Sequence, residues 1–192
     1  MNFNDFKTLV KNTRCVRRYK EANISYEDLA DLVDIARQTS SGKNLQPLKY
    51  IIITDTKQKE EVYKPLVWAA HLQDWEQLPS QKPSAYILIL EDTDINGFSD
   101  IDSGIAMQTI MLGARAKGLG SCILASIDKE AYKKLFNLPS NLEPRFIIAF
   151  GKQDEEIKIT DIKDDTNYYR DENSTHFVPK RSLKEVLINK FN

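Results

Sequence analysis

The chain has 192 residues, of which 41% are hydrophobic and 29% charged, so it is long enough for one core and too apolar for a disordered polymer. Its 27 basic and 28 acidic side chains leave a net charge of −1, which excludes a strong general attraction to nucleic acid or anionic lipid. The longest apolar runs, Tyr50–Ile53 and Ala85–Leu90, fall far short of the roughly 20 residues a membrane-spanning helix needs.

The polar start Met-Asn-Phe-Asn-Asp-Phe-Lys lacks the apolar region of a secretory signal, and the only cysteines, Cys15 and Cys122, suit a reducing cytoplasm. Phe3, Phe6 and Val10 recur at helical spacing, which predicts a helix over 4–12 behind Asn4 as N-cap. Ser25 and Asp28 form a capping pattern ahead of Leu29, Leu32, Val33 and Ala36, predicting a second helix over 26–38. Ser40–Pro47 is dense in turn formers. Lys49–Thr54, Ala85–Leu90, Ser121–Leu124 and Arg145–Phe150 read as buried strands, with a helix over Glu60–Ala70 between the first two.

Asp102–Lys117 mixes small and large apolar residues around most of its circumference, predicting a helix buried on several sides. Its glycines point to close approach by another backbone, which a subunit interface could supply. Tyr168–Val178 reads as two short strands around a polar turn, and Ser182 as the cap of a last helix over Leu183–Lys190.

Most chemistries fail on inventory. His71 and His176 are isolated and no Cys-x-x-Cys occurs, so no metal site is expected. There is no Gly-x-Ser-x-Gly elbow, P-loop or complete Gly-x-Gly-x-x-Gly. What remains is Arg14, Arg17 and Arg18 around Cys15, ahead of Tyr19. Arg14 and Arg17 could grip one anion, with Arg18 facing water. The same residues also read as a solvated basic turn paired with Glu21 or Glu27.

Arg14-Cys-Val-Arg-Arg-Tyr19 resembles the Arg-Ser-x-Arg-x-Phe/Tyr signature of the FMN-dependent nitroreductase family, and Ser40–Pro47 resembles its Ser-x-x-Asn-x-Gln-Pro signature. The similarity continues through Asp102–Gln108, Gly118–Cys122, Leu138-Pro139 and Ile147–Gly151. Alternating helices and strands alone argue for a parallel α/β sheet. The resemblance instead implies an α+β fold: a mixed, mostly antiparallel sheet flanked by helices, in an intertwined homodimer. It implies a single domain over 1–192, with 152–192 as a C-terminal extension on the partner subunit.

By the same resemblance FMN lies between subunits. Arg14 would hold its phosphate, Cys15 stands where the family has serine, and Arg17 would lie near the flavin N1 and O2 edge. Ser40, Ser41 and Asn44 would reach the flavin from the other subunit, while Gln46-Pro47 shapes the loop. Ala125 and Ser126 match the stretch whose backbone amide points at N5. Gln77 corresponds to a polar flavin contact, and Lys180 and Arg181 to a basic pair closing on the phosphate, although a solvated turn explains that pair equally well. Cys122 reads as a small buried hydrophobe, and Trp68 and Trp75 as core residues or a cover for a planar substrate.

The implied activity is a ping-pong oxidoreductase taking hydride from NADH or NADPH to a nitroaromatic or quinone acceptor. Its rivals are a flavin-binding sensor or carrier without turnover, and a specialised enzyme of the same fold such as a reductive dehalogenase.

Overall fold

Reciprocal caps open the first two helices. In α1 (Phe3–Asn12) Asn2 accepts the Asp5 N–H and the Asp5 carboxylate accepts the Asn2 N–H. The cap is therefore Asn2 and not Asn4: three residues after Asn4 stands Lys7, which offers no acceptor to close the box. In α2 (Tyr26–Arg37) Ser25 and Asp28 cap as expected and Leu29, Leu32 and Ala36 are buried. This computed structural model describes residues 1–69 and 77–189; His71, Trp75, Ala70 and Lys190 lie outside them. The chain divides into two compact units, one ending at Asp154 and the other starting at Glu155.

The first unit is built on β1 (Tyr19–Lys20), β2 (Leu48–Ile53), β3 (Ala85–Asp92), β4 (Gly120–Leu124) and β5 (Leu142–Gln153). β5 is the hub: β3 and β4 pair along its two edges, β1 pairs with its C-terminal end, and β2 lies outside β3. All these pairings are antiparallel. The helix–strand alternation has a simple origin. β3 and β4, joined through α4 (Ser99–Ala116), run parallel to each other, but β5 fills the gap between them in the opposite sense. A parallel-sheet pattern in the sequence thus yields an antiparallel sheet.

Ala85, Ile87 and Ile89 of β3 join Ile148 and Phe150 of β5 in one core with α2 and with Ala106, Met107, Ile110 and Ala114 of α4. Beyond the strands, α5 (Lys129–Leu135) packs against β5, and its buried Tyr132 hydroxyl donates to Val62 O of α3 (Thr56–Tyr63) at 2.7 Å. α3 starts earlier than expected because Asp55 caps it, and stops at Tyr63 because Pro65 cannot continue its hydrogen bonds. Over Gly113 of α4 lie side chains, not a second backbone: an added Cβ would sit 2.6 Å from Ile35 Cδ1 and 2.8 Å from Leu32 Cδ2. Gly104 has nothing within 4 Å.

In the second unit β6 (Ile157–Asp161) pairs parallel with β8 (His176–Lys180), and β7 (Tyr169–Arg170) pairs antiparallel with β8 across the expected polar turn. Arg170 pairs with the buried Glu155 carboxylate, and the His176 Nδ1 lies 3.6 Å from it. The last helix, α6 (Leu183–Val186), is shorter than expected, and its Glu185 carboxylate accepts the Ser182 N–H at 2.7 Å.

Candidate active site

After α1 the chain runs extended beside β4. Cys15 forms a parallel bridge with Ser121, and Val16 N–H donates to Ser121 O at 2.9 Å. Val16 and Tyr19 are buried anchors, and two glycines make room for them. A Cβ on Gly120 would lie 2.9 Å from Val16, and one on Gly151 would lie 2.7 Å from the Tyr19 ring. These anchors fix the direction of the arginines between them.

Arg14, Arg17 and Arg18 are all half-buried. Arg14 donates from Nη2 to Val10 O, and its Nε is enclosed with no partner among the described residues. Burial lowers the Arg14 pKa against the opposing pull of Cys15, but a guanidinium starts so high that it remains charged. The expectation that Arg18 faces water fails: its side chain is half-buried with Nε enclosed, and its carbonyl accepts the Asp154 N–H at 2.9 Å, tying this segment to the end of β5. Arg17 donates to Cys15 O at 3.5 Å. The Arg17 carbonyl accepts from Gln77 Nε2 at 2.7 Å, and the same nitrogen donates to Gln81 O at 2.9 Å. That leaves Gln77 Oε1 buried with no donor among the described residues.

Cys15 is held well below the ordinary thiol range, at a pKa of about 6. A hydrogen bond from the Cys122 thiol is the main cause; the Ile123 backbone and the charges of Arg17 and Arg14 add to it, and burial opposes them. A depressed acid stabilises the fold fully above its unfolded pKa of about 8.5, and that contribution fades as pH falls through about 6. The stability advantage of the cofactor-free protein over its Cys15→Ser variant should therefore grow by about 1–3 kcal/mol between pH 6 and pH 8.5. Thermal denaturation of both proteins across that range checks it; a constant difference would show that Cys15 stays protonated.

The second cluster is the Ser40–Pro47 loop. Ser41 Oγ donates to Asp102 Oδ2 at 2.6 Å and accepts the Gln46 N–H at 2.9 Å, while Gly42 N–H donates to Asp102 Oδ1 at 2.9 Å. Asp102 is 3% exposed and sits in the first turn of α4. Lys43, Asn44 and Gln46 all have positive φ, an arrangement that persists only under strong bracing. Gln46 Nε2 adds bonds to the carbonyl and side-chain oxygens of Asn44 at 3.2 Å, the loop-shaping role expected of it. The Ser41 hydroxyl is thus committed to Asp102 and its own loop, while Ser40, Lys43, Asn44 and Gln46 are exposed.

Ser40 and Ser41 line a cavity of about 240 Å³ with Tyr50 and Asp102. Burial and the Asp102 charge push the Tyr50 pKa up to about 12, so it is a neutral donor at the cavity wall. Arg14 borders a separate crevice with Gly120 and Ser121 that is too tight to admit water. Within one chain the two signatures build separate walls. Ala125 and Ser126 are exposed just past β4, with Asp128 capping α5 as expected. Lys180 and Arg181 are exposed in the second unit, Arg181 paired with Glu185 at 3.4 Å. Trp68 is half-buried beside Tyr63. Sequence reasoning gave no role to Asp102, Tyr50 or the Cys15–Cys122 contact; the one local signal was an acid opening an otherwise apolar helix.

The fold and its two polar clusters define the nitroreductase-like class of α+β oxidoreductases. A solved nitroreductase family protein from Clostridium difficile superposes with a TM-score of 0.64 at 28% identity, over 81% of this chain and 86% of that one. The model of the Nitroreductase family matches residues 10–152, and the chain belongs to that family. Among curated relatives it is 26% identical to an iodotyrosine deiodinase of Thermotoga neapolitana, over 77% of this chain and 88% of that protein. It is also 26% identical to an FMN reductase (NADPH) of Bacillus subtilis, over 77% of this chain and 65% of that protein.

Proposed function

We propose that the protein is an FMN oxidoreductase working as a cytoplasmic homodimer, with Arg14, Cys15, Arg17 and Gln77 of one copy facing Ser40, Ser41 and Asn44 of the other. The observation that carries this reading is a pair of enclosed atoms beside one segment that find no partner among the described residues: a cationic donor, Arg14 Nε, and an acceptor, Gln77 Oε1. A buried polar atom without a partner costs about 1–3 kcal/mol. A ligand that joins a phosphate to a ring bearing an N–H satisfies both, as FMN does.

Dimerisation fits the apolar surface that remains. Phe3 and Phe6 of α1 are 76% and 40% exposed, and Ile101 of α4, 62% exposed, lies one turn from the uncovered Gly104. The extension from residue 152 packs on the partner; Leu183, Val186 and Ile188, all exposed, suit that contact.

FMN, when bound, supplies the redox chemistry, taking hydride from NADH or NADPH at N5 and passing it to a small planar acceptor of nitroaromatic or quinone type. The chain positions and tunes. Arg14 holds the phosphate, and the Arg17 charge stabilises negative charge at the pyrimidine edge. A backbone amide of Ala125 or Ser126 donates toward N5. Water supplies protons, so no side chain need act as general acid.

Steady-state kinetics with NADPH or NADH and a benzoquinone test the cycle: ping-pong turnover gives parallel double-reciprocal lines. Intersecting lines would overturn it. A second reading, reductive dehalogenation, draws on the similarity to a deiodinase; iodide release from 3-iodotyrosine would favour it over quinone reduction.

A further inference from the structure

We propose that Phe98 is a positioning residue for the flavin site: its ring, laid on Gly42, sets the conformation in which the Ser40–Pro47 loop meets FMN. The proposal rests on the reading of that loop as a flavin contact.

Phe98 is out of place by local rules. It is the N-cap of α4, a position that favours Ser, Thr, Asp or Asn, and it gives the helix no side-chain cap bond. It is also 42% exposed, so the core does not account for it either. Residues that break a local rule without serving helix or core concentrate at functional sites.

What the ring touches is the loop. A Cβ built on Gly42 would lie 2.4 Å from Phe98 Cδ2, 2.8 Å from Cγ and 2.9 Å from Cβ. One built on Gly97 would lie 2.9 Å from Pro47 Cγ. Each segment thus offers a glycine to the other's ring, and the two interlock at Gly42–Phe98 and Gly97–Pro47. Hydrogen bonds fix both ends of this clasp: Asp92 N–H donates to Pro47 O at 2.8 Å and Asp102 N–H to Phe98 O at 2.9 Å.

The residues that follow Gly42 depend on it. Lys43 Nζ lies 5.8 Å from the Phe98 ring centroid, within cation–π range. Lys43 and Asn44 stand at φ 51° and 58°, a conformation that persists only where neighbours over-determine it. Asp102 braces the loop through Ser41 and Gly42; Phe98 closes it from the other segment, which leaves Asn44 in one fixed place.

The test is a double-mutant cycle on the full-length protein, read by FMN titration and by amide exchange over residues 40–47. Gly42 is not at positive φ, so alanine there is opposed by the ring and not by the backbone. Gly42→Ala and Phe98→Gly should each raise the Kd for FMN about tenfold and speed loop exchange, since FMN must then order the loop itself. Phe98→Tyr, which keeps the ring, should bind as the wild type does. In Gly42→Ala/Phe98→Gly all three opposing atoms are gone, so its Kd should be no higher than that of Phe98→Gly alone. Losses that add in the double variant, or an unchanged Kd in Phe98→Gly, would overturn the proposal. Wild-type protein that binds no FMN would instead sink the flavin reading, and the exchange rates would then test the clasp alone: unchanged exchange in Phe98→Gly overturns it.

Discussion

Replacing Arg14 and Arg17 together by alanine should raise the Kd for FMN about a hundredfold to ten-thousandfold, since each hydrogen bond to a charged group is worth about 1.5–3 kcal/mol. The two side chains differ in what they already do. Arg14 spends one nitrogen on Val10 O and keeps Nε enclosed, whereas Arg17 is set by the Gln77 bond to its carbonyl. The loss therefore falls on the ligand more than on the fold. Quenching of FMN fluorescence measures it, with Lys20→Ala as control: Lys20 is a nearby cation, 63% exposed and paired with Asp154 at 3.1 Å. The control should bind normally. A loss below tenfold in the double variant would remove the anion grip.

Asp102→Ala should be nearly as damaging, from the opposite wall. It strips the acceptor from Ser41 Oγ and Gly42 N–H at once, and Ser41 in turn holds the Gln46 N–H. Three residues at positive φ then lose their bracing. Two orphaned donors cost about 2–4 kcal/mol of stability, and FMN affinity should drop at least about tenfold as the loop loosens. Asp102→Asn should fall between: its carbonyl can still accept from Gly42, but its amide leaves the Ser41 hydroxyl without an acceptor. Calorimetry and FMN titration of both variants check the order. Equal behaviour of Ala and Asn would show that Asp102 does not act through these bonds.

Much of this was legible in the sequence where the interaction is local. The Ser25–Asp28 box, the apolar strand runs and the two polar signatures each lie within one short segment. The misses share a physical cause. Asp102 meets its partners about sixty residues away in sequence, and Cys15 meets Ser121 through a single bridge, so neither leaves a local pattern. β6 hides in a charged stretch because only alternate residues, Ile157 and Ile159, are apolar. The half-burial of Arg18, whose carbonyl is tied to Asp154 far along the chain, leaves no local spacing to read.

Co-expression of the Arg14→Ala/Arg17→Ala chain with an Asp102→Ala chain measures most directly whether the site is shared between copies. In a composite site the mixed dimer gathers both defects at one position and leaves the other whole, so it should recover FMN binding and NAD(P)H oxidation at about half the wild-type level. Recovery no greater than that of either variant alone, or a protein that stays monomeric throughout, would contradict a site built from two chains.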